Sequence, residues 1–114
     1  QIIAWKALER TGFLEDAQRL AYKWLFTMVS NACDFNGTVT EKYDVIGRTH
    51  DVFAEYGNVG ARFDYITREG FGWTNASFTV GLAILSADQR SALNRRIAPE
   101  CVSFHRGHAR EDVE

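Results

Sequence analysis

The chain has little proline, little sulfur and no long apolar run, and each shortage removes a class of protein. A single proline, Pro99, in 114 residues excludes a proline-rich spacer, and no internal repeat, linker or low-complexity tract divides the chain. Two cysteines, Cys33 and Cys101, are too few for a disulfide framework and are expected as reduced thiols in a cytosolic protein. No apolar stretch approaches the ~20 residues that span a bilayer. Charge of one sign is also scarce, with 13 basic residues interspersed among 15 acidic ones for a net charge of -2. Without a basic block, neither a phosphate backbone nor an anionic lipid surface is an expected partner. The chain opens inside an amphipathic stretch with neither an initiator Met nor a signal-peptide pattern, so targeting cannot be read from these residues.

What is present is apolar and aromatic. Hydrophobic residues make up 46% of the chain and aromatic ones 13%, including three Trp and eight Phe. This is the composition of a globular unit with one modest core. Burying that much ring surface calls for deep packing layers or a binding cleft.

Four stretches have helical spacing. Gln1 to about Arg10 carries Ile2, Ile3, Trp5 and Leu8, with Thr11-Gly12 as its stop. The second stretch places Leu14, Ala17, Leu20, Ala21, Trp24, Leu25, Met28, Val29 and Ala32 on one stripe, with i, i+3, i+4, i+7 recurrence. Glu15 and Asp16 suit the positive end of its dipole. Asp34-Phe35-Asn36-Gly37 then reads as a tight reversal, because Asn-Gly readily takes positive φ. Helical spacing returns from Thr74 to Leu85 through Ala76, Val80, Ala83 and Ile84. Ser86-Ala87-Asp88-Gln89 matches a capping box opening a short helix to about Arg96. Pro99 closes that helix, and the polar tail from Cys101 to Glu114 is expected to fray.

Between Val39 and Thr74 no helical period survives. Six of the nine glycines fall between Gly37 and Gly72, interleaved with Tyr43, Phe53, Tyr56, Phe63, Tyr65, Phe71 and Trp73. Long irregular segments inside a compact protein are uncommon, and they usually serve binding or catalysis. Two long helices and two shorter ones around such a loop do not enclose a core by themselves, and the Leu14 to Ala32 stripe demands a partner layer. The chain reads as one unit, residues 1–114, of something larger.

Two segments of this loop carry a resemblance. Glu41-Lys42-Tyr43-Asp44 and, further on, Glu69-Gly70-Phe71-Gly72-Trp73-Thr74-Asn75 stand in the order and spacing of the two signatures of the inverting trehalases, glycoside hydrolase family 37. Glu55-Tyr56-Gly57-Asn58 and Asn75-Ala76-Ser77-Phe78 resemble the fungal cytosolic (neutral) branch in particular. Arg68 departs from the pattern, standing where the family has a Gln or similar residue. The resemblance runs from the Ile3-Ala4-Trp5 helix past Leu85. It implies an all-α fold, the last few helices and active-site loops of an (α/α)6 toroid, and hydrolysis of α,α-trehalose to two glucoses with inversion.

The chemistry fits the residue types in the loop. An inverting glycosidase breaks its bond with two carboxyl groups, one protonating the leaving oxygen and the other activating water on the opposite face. The resemblance makes Glu41 the base, with Lys42 or a buried Arg keeping it ionised. On spacing alone Glu41 reads first as a solvated loop carboxylate. A further acidic residue contacts sugar hydroxyls in the family, and Glu55 and Asp64 both satisfy the spacing. Phe71 and Trp73 offer flat rings for the apolar face of a sugar, or core packing. Asn75 either donates to a sugar hydroxyl or caps the helix it opens.

Other patterns carry less. His105 and His108 have metal-like spacing without accompanying ligands, and Gly70-Phe71-Gly72 lacks the order of a phosphate loop, so neither a metal nor a cofactor is expected. The family's general acid has no counterpart here and belongs to a missing amino-terminal part of the same enzyme, the partner implied besides trehalose. The chain is therefore expected to be inactive alone. The alternative is a non-catalytic helical interaction or regulatory fragment derived from a trehalase.

Overall fold

The computed structural model describes residues 1–52, 54–55, 62–63 and 72–104. Ile2, Trp5 and Leu8 recur at helical spacing, and Ile2–Arg10 forms α1. Trp5 is completely buried while Ile3 points to solvent. The helix stops where Gly12 takes φ +88°. Gly12 N–H donates to the Glu9 carbonyl and Phe13 N–H to the Leu8 carbonyl, the paired bonds of a Schellman turn.

Leu14–Asp34 forms α2, the spine of the fold, with Glu15 and Asp16 in its first turn. It packs against α1 and against two later helices, α3 (Gly72–Ile84) and α4 (Ala87–Asn94). Because neighbours cover α2 on several sides, its buried face is broader than the apolar stripe suggests. Tyr22, Thr27 and Asn31 are buried along with Ala17, Ala21, Leu25 and Met28. Two members of the expected stripe, Leu14 and Leu20, are exposed instead. The helix runs to Asp34 and ends on Asn36 at φ 59° and Gly37 at φ 74°. Gly37 N–H donates to the Ala32 carbonyl at 2.7 Å, so the Asn-Gly reversal forms as expected.

The register of α3 differs from the expectation. The helix begins at Gly72, and its buried face is Thr74, Ser77, Gly81 and Ile84, while Ala76 and Ala83 face outward. Small residues win this face because they let α3 approach α2 closely. A Cβ at Gly81 would lie 3.1 Å from both Cδ atoms of Leu25. Apolar periodicity rewards bulk, and here the contact demands its absence.

Ser86 caps α4 through the expected capping box: its hydroxyl accepts from Gln89 N–H at 3.2 Å and its own N–H donates to Gln89 Oε1 at 2.9 Å. The helix ends at Asn94 rather than Arg96, because Arg96 takes φ 55°. Bonds from Arg96 N–H to Leu93 and from Ile97 N–H to Ala92 complete another Schellman turn. A short 3-10 turn, Pro99–Cys101, follows. Tyr22 Oη donates to the Ile97 carbonyl at 2.6 Å, and Phe104, within the tail expected to fray, packs edge-on against Tyr22 at 5.6 Å. The rest of that tail, 105–114, lies outside the described residues. The core thus joins Trp5 of α1, the α2 spine, Ile84 and Leu85, and Ala92 and Leu93 of α4.

The fold is all-α. In the segment expected to be irregular, β1 (Ala54–Glu55) and β2 (Arg62–Phe63) form a two-residue antiparallel ladder. Among the described residues no helix is long and apolar enough to cross a membrane.

Candidate active site

The segment after α2 is built by side chains of the first signature. Tyr43 is buried; its ring meets Trp24 edge-on at 5.5 Å, and its hydroxyl accepts from Thr40 N–H at 3.2 Å. Asp44 Oδ1 accepts from Ile46 N–H at 2.9 Å and Gly47 N–H at 3.1 Å, folding the chain into an Asx-type turn. Backbone bonds between Asp44 and Thr49 close that turn. A Cβ at Gly47 would sit 2.9 Å from Asp44 Oδ2, so a larger residue there would displace the carboxylate that folds the turn.

The far side of the turn is moored to α2. Asn31, buried, donates to the Arg48 carbonyl at 3.0 Å and accepts from His50 N–H at 3.1 Å. The His50 ring stands edge-on to Phe35 at 4.1 Å. Arg48 pairs with Glu100, and its guanidinium lies 6.0 Å from the centre of the Phe26 ring. That pairing holds the Glu100 carboxyl below the usual carboxylate range and raises Arg48. Arg96 Nη2 donates to both carboxylate oxygens of Asp34, at 3.1 and 3.2 Å, and fastens the end of α2.

Glu41 sits at the start of this moored loop, its side chain 21% exposed and 4.0 Å from Lys42 Nζ. Lys42 and Glu41 thus stand side by side at the head of the loop. A second tie comes from the other signature. Thr74, buried in the first turn of α3, donates from Oγ1 to the Glu41 carbonyl at 3.3 Å. Ser77 Oγ donates to the Thr74 carbonyl at 2.6 Å and accepts from Trp24 Nε1 at 2.8 Å. Trp24 therefore links the first signature to α3, with its ring on Tyr43 and its N–H on Ser77.

Trp73 and Asn75 flank Thr74 on α3, each about 100° around the helix from it. Trp73 is 83% exposed, so its ring is not a core residue of the described chain. Asn75 is also exposed. Because α3 begins at Gly72, Asn75 lies inside the first turn and is not its N-cap. Asn75 instead borders a groove of about 440 Å³ lined by Met28, Val29, Ala32, Cys33, Val39, Phe78 and Thr79. So apolar a lining suits packing better than a hydroxyl-rich sugar. A larger depression of about 720 Å³, between the start of α2 and α4, contains no residue of either signature. Of the remaining candidates, the Glu55 backbone pairs with Arg62 in the ladder, and its side chain lies outside the described residues. Asp64 and Phe71 lie outside them too, as do His105 and His108. Among the described residues no group of three or more His, Cys, Asp or Glu side chains could hold a metal ion.

Sequence reasoning did not single out Asn31, Ser77 or Thr74 as the groups that tie the loop after α2 and the start of α3 to the spine. Thr74 and Ser77 lie within the segments that carry the resemblance, but the part each plays, like that of Asn31, depends on a hydrogen bond to a partner remote in sequence.

Comparison with known proteins agrees with the two signatures. The family model described as Trehalase matches residues 1–86. The cytosolic neutral trehalase of Neurospora crassa is 55% identical over 95 residues, covering 82% of this chain and 13% of that protein. The cytosolic neutral trehalase of Saccharomyces cerevisiae is 50% identical over 106 residues, covering 91% of this chain and 14% of that protein. That of Emericella nidulans is 53% identical, covering 82% and 13%. The chain spans only about an eighth of the length of these curated relatives. With a family model matched from its first residue to α3 and beyond, the chain belongs to the trehalase family.

Proposed function

We propose that this chain supplies the general base of an inverting α,α-trehalase and that the base is Glu41. The observation that carries this reading is the division of labour within Glu41-Lys42-Tyr43-Asp44. Tyr43 packs the loop onto Trp24, Asp44 folds the turn, and Lys42 stands beside the carboxylate. Glu41 is left as the acid that this scaffold presents, with its backbone bound to the signature that carries Trp73.

In the reaction, Glu41 takes a proton from a water that attacks the anomeric carbon of one glucose unit. A carboxylic acid from another part of the protein, part of an (α/α)6 toroid with this chain, protonates the bridging oxygen as the bond breaks. The Trp73 ring stacks on the apolar face of a glucose unit, with Phe71 beside it. Either Glu55 or Asp64 hydrogen-bonds its hydroxyls. Without the acid the chain alone does not hydrolyse trehalose. Its relatives are named cytosolic, and the same location is proposed here.

The stereochemistry tests the mechanism. Attack with inversion converts one α-linked glucose to the β anomer while the leaving glucose stays α. Proton NMR of the first turnovers by the full-length protein should show equal amounts of both. Release of α-glucose alone before mutarotation would contradict the role given to Glu41.

A further inference from the structure

We propose that Thr74 is a positioning residue for Glu41, acting through its hydroxyl on the Glu41 backbone. The proposal rests on the reading of Glu41 as the base. A threonine in a helix commonly turns its hydroxyl back to a carbonyl of the preceding turn. From the first turn of α3, Thr74 reaches across 33 positions in sequence to the Glu41 carbonyl.

Its direction is fixed from behind. Ser77 Oγ holds the Thr74 carbonyl at 2.6 Å and is itself held by Trp24 Nε1 at 2.8 Å. Trp24 is anchored in turn against Tyr43, two residues beyond Glu41. A closed circuit results, from Glu41 through Thr74, Ser77 and Trp24 to Tyr43 and back along the chain. Thr74 and Ser77 are both buried, so water does not readily replace the lost bond. The circuit fixes the backbone from which the carboxylate projects. It leaves the carboxylate oxygens to other partners. A general base must stand within hydrogen-bond reach of its water, and small displacements of a reacting group are costly in rate.

Thr74→Val keeps the shape and removes the hydroxyl, whereas Thr74→Ser keeps the hydroxyl and removes a methyl. In the full-length protein, Thr74→Val should lower kcat by about 10-fold or more, with KM close to that of the parent and the unfolding midpoint lowered only by the loss of one buried hydrogen bond. Thr74→Ser should retain most of kcat. Ser77→Ala, which frees the Thr74 carbonyl, should lower kcat in the same direction and serves as the deciding variant if Thr74→Val does not fold. Unchanged kcat in Thr74→Val, or in Ser77→Ala where that variant decides, overturns the proposal. Equal losses in Thr74→Val and Thr74→Ser overturn it too, since packing would then be the cause. Glu41→Gln separates the two levels. An inactive Glu41→Gln beside a normal Thr74→Val refutes Thr74 alone, and an active Glu41→Gln removes the base assignment on which it rests.

Discussion

Gly81 sets how closely α3 can lie on α2, and so whether Ser77 reaches Trp24. A methyl group there would sit 3.1 Å from Leu25 Cδ1 and Cδ2 and 3.2 Å from its Cγ. Leu25 is completely buried and has no free space to yield. Replacing Gly81 by Ala favours the helix by about 1 kcal/mol and overpacks the contact by about 1–3 kcal/mol. The net expectation is a destabilisation of up to about 2 kcal/mol. Leu25→Ala alone should cost about 2–5 kcal/mol through the cavity it leaves. The new methyl at position 81 would point into that cavity, so the double variant should be more stable than the sum of the singles by about 1 kcal/mol. Urea unfolding followed by tryptophan fluorescence suits the test, since Trp5 is buried. A Gly81→Ala variant stabilised by its full helix preference, or strict additivity with Leu25→Ala, would refute the close-approach argument.

Two further predictions concern single side chains. Burial raises the Tyr22 pKa, so the folded chain holds that proton more tightly than the unfolded one. The resulting stability is complete below the ordinary tyrosine range and is lost as pH rises beyond about 10. Tyr22→Phe should remove that alkaline loss and, by losing the bond to the Ile97 carbonyl, cost about 1 kcal/mol at neutral pH. Denaturant midpoints measured from pH 7 to 11 check both. Trp73→Ala removes an exposed ring and should shift stability by no more than about 0.5 kcal/mol. In the full-length protein it should raise KM for trehalose, and a folding defect with unchanged KM would place the ring in packing instead.

The sequence makes the helices and their ends legible for local reasons. Asn36-Gly37, Thr11-Gly12 and Ser86 to Gln89 each form the turn or cap that their residues favour. The α3 register was not legible, because the face that packs is Thr74, Ser77 and Gly81, residues that an apolar count passes over. Arg96 at positive φ ends α4 early, at a position where side chains with a Cβ are disfavoured. The two signatures pointed to Glu41 and Trp73 through family resemblance. The hydrogen bonds that join those signatures depend on which helices meet, and that is settled only by tertiary packing.

The central claim is that Glu41 acts as the base. Glu41→Gln keeps the shape of the side chain and removes its capacity to take a proton from water. In the full-length protein the turnover of trehalose should fall by about 10²–10⁴-fold, with the unfolding transition and trehalose binding preserved. Turnover near that of the unsubstituted protein would contradict the account.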